Sequence, residues 1–239
     1  PMHYSKRLFG LRSFDLFDEN EDWRGQEERL AKERGQSISE IYTVKGIEGV
    51  LEFSRSVERP DIVGNSLVAE NLELPLDILK KLILSNIKEE HSLASGYVRA
   101  RNYKEGNSWV LDAVNNWNIQ EKVGLFLLLP FKKETWEMLE ASFVDFPYEY
   151  WNNTTVNAYH CDSTEEIYFA VDRLIKVDRP VSAIDCLSRI LHIDKVVDSS
   201  KVVIALLQAI KTTEDVKGVD IHSFNELVNY IQNDGTVSD

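Results

Sequence analysis

Ser163-Thr164-Glu165-Glu166-Ile167-Tyr168-Phe169-Ala170-Val171-Asp172-Arg173-Leu174-Ile175-Lys176-Val177-Asp178-Arg179-Pro180 is the stretch that decides the fold class. Within it Ile167, Ala170, Val171, Leu174 and Ile175 recur at the i, i+3, i+4, i+7, i+8 spacing of a single buried helical face. Ser163 with Glu166 three residues later has the capping-box spacing of a helix start. Asp178-Arg179-Pro180 ends the helix, because proline disfavours helical geometry in the residue before it and is itself at home in the first turn of a new helix.

The same pattern continues on both sides. Downstream, Ile184, Leu187, Ile190 and Leu191 mark the helix that Pro180 opens. After a polar break at 194–200 come Val203, Leu206, Leu207 and Ile210, then Phe224, Leu227, Val228 and Ile231 behind Asp220. Ile167, Val171, Leu174, Ile184, Leu187, Leu191, Val203, Leu207 and Ile210 are expected to form one continuous core. Upstream, Trp136, Leu139 and Phe143 mark one helix and Leu72, Leu76, Leu79 and Ile83 another around Pro75. Residues 91–129 read as two or three helices, with Leu125–Leu129 the end of a buried one. Trp109 and Trp117 on one helix would lie roughly 80° apart by the 100° step. Ser37 and Glu40 repeat the capping-box spacing before Ile41, and Ile47, Val50, Leu51 and Phe53 belong to a helix that ends at Pro60.

Period-two alternation is nearly absent, and the 239 residues hold only 11 glycines and 6 prolines, too few for the tight turns of an all-β protein. The expected fold is all-α, at least about 60% helical, roughly twice the usual share. Acidic residues crowd 15–34, so residues 1–35 are expected as an exposed acidic segment, 36–232 as the helical domain and 233–239 as a disordered tail.

Val57-Glu58-Arg59-Pro60 and Val177-Asp178-Arg179-Pro180 share one V-acid-R-P pattern at an offset of 120 residues. Three units of about 40 residues give that offset, and about 40 is the length of a helix pair in HEAT-like arrays. A helical hairpin cannot bury its apolar face alone, whereas stacked hairpins cover one another. Antiparallel helix pairs stacked as an α-solenoid are therefore expected, with an irregular helical bundle as the alternative. Trp136-Glu137-Met138-Leu139, Tyr150-Trp151 and the helix pair broken at Arg179-Pro180-Val181-Ser182-Ala183 resemble the α-solenoid regions of large multidomain bacterial proteins, such as the arms of STAND-type NTPases. That resemblance covers roughly residues 40–232. It implies an interaction or sensing surface without chemistry of its own and carries no functional residue across. The TPR consensus is not met and no phosphate-binding Gly-x4-Gly-Lys-Ser/Thr occurs.

Other catalytic signatures are equally absent: there is no G-x-S-x-G, H-E-x-x-H or G-x-G-x-x-G. His160-Cys161-Asp162 is the most metal-like cluster, and Cys186 and His192 would complete two histidines and two cysteines if the fold brought them in. Capping and core roles fit these four better, and neither metal nor cofactor is expected. With Pro147 among them, Phe146, Tyr148, Tyr150 and Trp151 either anchor a partner or staple one helical hairpin to the next; Trp151 favours the core.

The formal net charge of -13 repels phosphate backbones and anionic lipid, so nucleic acid is disfavoured and a basic protein or peptide is the expected partner. Arg99, Arg101 and Lys104 form a local cluster of cations, three on one helix that read best as a solvated face. Two cysteines in a chain of this length, with neither a signal-like apolar run nor a membrane span, fit the reducing cytoplasm. The expected function is a non-catalytic interaction or scaffold module, a sensing or regulatory arm of a larger bacterial assembly. The alternatives are a DNA-binding regulator with a helix-turn-helix in 91–118 and an enzyme with an unrecognised helical site.

Overall fold

A computed structural model describes residues 2–11, 22–194, 196–211 and 221–234. Helix accounts for 76% of it and no strand occurs among the described residues, which meets the all-α expectation. The chain divides into two units, Pro1–Leu129 and Pro130–Asp239.

In the first unit, α1 is Met2–Leu8, α2 Trp23–Ser54, α3 Pro60–Ala69, α4 Leu76–Ile83, α5 Lys88–Glu105, α6 Asn107–Val114 and α7 Ile119–Phe126. Helices α3 and α5 cross through Gly64 and Gly96. A Cβ on Gly64 would overlap the main chain of Leu93 and Tyr97, and one on Gly96 that of Asp61, so backbone meets backbone there. Val63, Leu67 and Val68 of α3 and Leu93, Ala94, Tyr97 and Val98 of α5 are buried around the crossing. Asn71, at φ 57°, ends α3 as a left-handed cap, and the Leu72 amide donates to the Leu67 carbonyl at 2.8 Å.

Helix α2 corrects two expectations. It begins at the Asp22 cap, whose side chain accepts from the Gly25 amide at 2.7 Å, and runs through Ser37, which is buried inside the helix and caps nothing. The capping-box spacing misleads here because helix-forming residues precede it, and Glu40 is engaged by Gln36 at 3.1 Å. The expected boundary at 35/36 consequently falls within a continuous helix whose Leu30, Arg34, Gly35 and Ile38 are buried. The break comes at Gly46, whose φ 63°, ψ -162° is open only to glycine at low cost. Most of the acidic stretch before α2, and residues 235–239 of the expected tail, lie outside the described residues; Asn233 and Asp234 close the last helix.

Residues 91–129 form three helices. Gly106, at φ 72°, separates α5 from α6, and a full capping box of Asn118 and Glu121 opens α7. Trp117 lies in the turn after α6, so it and Trp109 do not share one helix.

In the second unit, α8 is Lys133–Ser142, α9 Tyr148–Asn153, α10 Thr164–Lys176, α11 Pro180–Asp194, α12 Ser199–Ala209 and α13 Ile221–Asp234, with a 3-10 turn at Ala158–His160. Helix α11 packs against α10, α12 and α13. Ser163 accepts from the Glu166 amide at 3.3 Å as expected, while Glu166 reaches back to the amide of Asp162 at 3.2 Å. Ile167, Val171, Leu174, Ile184 and Leu187 are fully buried. The expected core fails at α12 and at the end of α11: on α12 Val202 and Ala205 face inward, Val203 is only half-buried and Leu207 and the following Ile210 are 57% and 75% exposed, and on α11 Leu191 is only half-buried. Apolar residues surround α12, so spacing alone could not choose which side goes in, and small Ala205 lies on the side that packs.

The two V-acid-R-P joints share one burial pattern: Val57 and Val177 are buried, Glu58 and Asp178 exposed, Arg59 and Arg179 half-buried, and Pro60 of α3 and Pro180 of α11 are buried in the first turn of a helix, while their polar contacts differ. Arg59 pairs with Asp61 at 2.7 Å, and Glu58 accepts from the Leu11 amide. Asp178 is left-handed at φ 58°, and Arg179 donates to the Trp151 and Thr154 carbonyls at 3.0 and 2.8 Å.

Candidate functional site

The proline-bent junction of 143–163 separates into two layers. Below lies an aromatic floor. Phe131 meets Trp136 edge-on at 4.8 Å, Trp136 stacks on Phe169 at 5.6 Å, and Trp151 packs against Trp136 and Tyr150, each at 5.4 Å. Tyr150 and Trp151 are both fully buried, so they cannot touch a partner, and their assignment to a contact surface is corrected. Helix α9 is short, opens after Pro147 and accepts from Arg179 at the Trp151 carbonyl, and it packs against rings on two sides, so that both adjacent positions are covered. Burial pushes the Tyr150 hydroxyl pKa up, beside Thr154 and Trp136.

Above the floor the surface is open. Val144 is wholly exposed and Tyr148 half-exposed, flanked by the exposed carboxylates of Asp145 and Glu149. Phe146 is half-buried, with the Lys176 ammonium 3.8 Å from its ring centre. Tyr159, also exposed, carries the Arg189 guanidinium at 4.4 Å. Cation–π pairs of this kind hold a ring in one orientation while leaving its edge to solvent.

Three of the four metal candidates have other partners and the fourth is buried. His160 lies 3.1 Å from the Asn157 amide, Cys161 donates to the Phe131 carbonyl, and His192 meets Glu226 of α13 at 3.2 Å. Cys186 is sealed in α11. Among the described residues no group of three or more His, Cys, Asp or Glu is arranged to hold a metal ion. Both cysteines are free, and burial, with nearby carboxylates adding, pushes the Cys161 thiol up to about 12. Burial pushes Cys186 up as well. A thiol held protonated is a poor nucleophile and a poor ligand.

Arg99, Arg101 and Lys104 are similarly engaged. Arg99 donates to the Leu128 carbonyl, Arg101 pairs with Glu105 and lies over Tyr97 and Trp109, and Lys104 donates to the Val68 carbonyl and Asn71. These internal bonds leave a phosphate backbone little to gain from them.

Two features escaped the sequence reading. A cleft of about 350 Å³ opens between α1 and the break in α2, lined by Ser5, Lys6, Ile41, Val44, Phe53 and Ser56 among others. Its only signal was a glycine inside a helical pattern. The second is the outward stripe of Ile204, Leu207 and Ile210 on α12. Among the described residues no helix is long and apolar enough to cross a membrane. No protein-family model, curated protein or solved structure matches the chain.

Proposed function

We propose that the chain is a protein-binding module that catalyses nothing itself, its helix pairs stacked in the manner of an α-solenoid and serving as an arm of a larger assembly. The carrying observation is the junction surface: Val144 and Tyr148 stand in solvent, each followed in sequence by an exposed carboxylate, Asp145 and Glu149, and Tyr148 opens the same short helix whose Tyr150 and Trp151 are fully buried. A rigid apolar centre with an acidic rim loses little entropy on binding and attracts a basic partner. Two free cysteines fit work in the reducing cytoplasm.

The test is the pair of substitutions Tyr148→Ala and Val144→Ser. Affinity capture from cells that express the chain should lose the partner, with the melting temperature unchanged, and retention should weaken as salt rises. Unaltered capture, or a melting point lowered as far as a core truncation lowers it, would overturn the assignment.

A further inference from the structure

Residues 8–11 are held in the first unit as a bound peptide would be. Leu8 and Phe9 are fully buried, and the Phe9 ring meets Phe53 of α2 edge-on at 5.4 Å. Three main-chain groups in a row are read: Arg34 Nε donates to the Leu8 carbonyl at 2.9 Å, the Arg59 amide to the Phe9 carbonyl at 3.0 Å, and the Leu11 amide to Glu58 at 2.7 Å. Arg34 is itself buried, so the donor it presents to the Leu8 carbonyl is held in place by its surroundings. Phe53, which meets the Phe9 ring, also lines the open 350 Å³ cleft, whose opposite wall includes Ser5 and Lys6 of α1; the contact between this segment and α2 is therefore only partly closed. Lys6 and Arg7 form the last turn of α1, positive charge on a chain of net charge -13.

We propose that the groove formed by α2 and the Val57–Pro60 joint is a peptide-docking site closed in cis by Leu8–Leu11, and that its partner is a basic helix ending on a Leu-Phe pair. Hydrophobic anchors supply affinity, the three main-chain bonds fix register, and the positive last turn matches the field of the whole chain. The internal segment competes at the high local concentration of a tethered ligand, of order millimolar, so an external segment with the same contacts binds only in the fraction of molecules whose groove is open. This surface is independent of the junction in the second unit.

The experiment uses the full chain and a fluorescent peptide of residues 2–11, read by anisotropy. Truncating a buried phenylalanine weakens its docking by about two decades or more, so Phe9→Ala should bind the peptide about a hundredfold more tightly than the wild-type chain does. Phe9→Leu, the milder change, should fall between them, and a peptide carrying Phe9→Ala should not bind to any of the three. A flat order across the three chains, with Phe9→Leu still folded by circular dichroism, would overturn the proposal. A wild-type dimer that the peptide dissociates would give the groove to a second copy and overturn the choice of a separate partner.

Discussion

The crossing of α3 and α5 is built from residues with no side chain, whereas the floor under α9 and α10 is built from the largest side chains in the sequence. Gly64 and Gly96 bring two backbones together, so close that neither position has room for a methyl group. In the second unit Trp136, Trp151 and Phe169 hold elements apart at ring-to-ring distances of 5.4 to 6.3 Å. Both arrangements exclude water; they fail in opposite ways. A floor of rings is weakened by removing atoms, and a glycine crossing by adding them.

Trp151→Ala should have the largest effect, costing about 3–5 kcal/mol in urea or thermal unfolding, the usual penalty for emptying a large buried aromatic site. The indole N–H of Trp151 is buried with no acceptor among the described residues. An unmade buried hydrogen bond is itself unfavourable by about 1–3 kcal/mol, so Trp151→Phe should lose clearly less than its lost volume alone suggests. If the two variants melt together, the floor is not a packing unit and the comparison breaks.

How much of this was legible depends on how one-sided each helix is. Helices α10 and α11 carry apolar residues on one face and charges opposite, and most of the inward set follows directly, with Ile175 and Leu191 only half-buried. Helix α12 places Val202, Val203, Ile204, Leu206, Leu207 and Ile210 around its circumference, and only contact with α11 and α13 chooses Val202 and Ala205. Gly46 and Gly49 pose the same difficulty at the level of backbone. One breaks α2 and the other stays helical and buried, a difference that residue type alone does not encode. The candidate site divides likewise: the aromatic group at 146–151 was visible, but which rings face inward depends on Arg179, 28 residues away from the Trp151 carbonyl it holds. The Leu8–Leu11 groove needs partners from 26 to 50 residues downstream and had no local signature.

Alanine in place of glycine sharpens the other half of the comparison. In an exposed helix the change is favourable by about 1 kcal/mol. At Gly96 the new methyl group would overlap the main chain at Asp61, and a backbone cannot rotate aside, so Gly96→Ala should destabilise by about 1–3 kcal/mol. Gly35 is the internal control, since its added Cβ meets only the carboxylate end of Glu70, a flexible side chain that can turn away. Gly35→Ala should therefore be nearly neutral. Equal losses at the two positions, measured by urea unfolding, would show that main-chain contact is not what makes the crossing intolerant.

The smallest effect expected is a pH dependence, and it belongs to the glycine-built unit. Glu90, in the first turn of α5, accepts from the Ser85 hydroxyl at 2.6 Å and from Arg55 at 2.7 and 2.9 Å. The Ser85 hydrogen bond first, and the Arg55 pair with it, hold its carboxyl below the usual glutamate range. A carboxylate whose pKa is lowered on folding contributes stability that is complete above its unfolded value, near 4.3, and is lost as pH falls through the folded value. The contacts lie close to solvent, so the contribution should be under about 1 kcal/mol. Glu90→Gln keeps the shape and removes the charge. The difference in stability between wild type and Glu90→Gln should be present at pH 7 and vanish as the pH is lowered into the acid range, with the gap at pH 7 narrowing in high salt. A difference that persists unchanged at low pH, where the carboxyl is protonated, would assign it to an uncharged difference between the acid and the amide, and charge would then have no part in fixing the end of α2 to the start of α5.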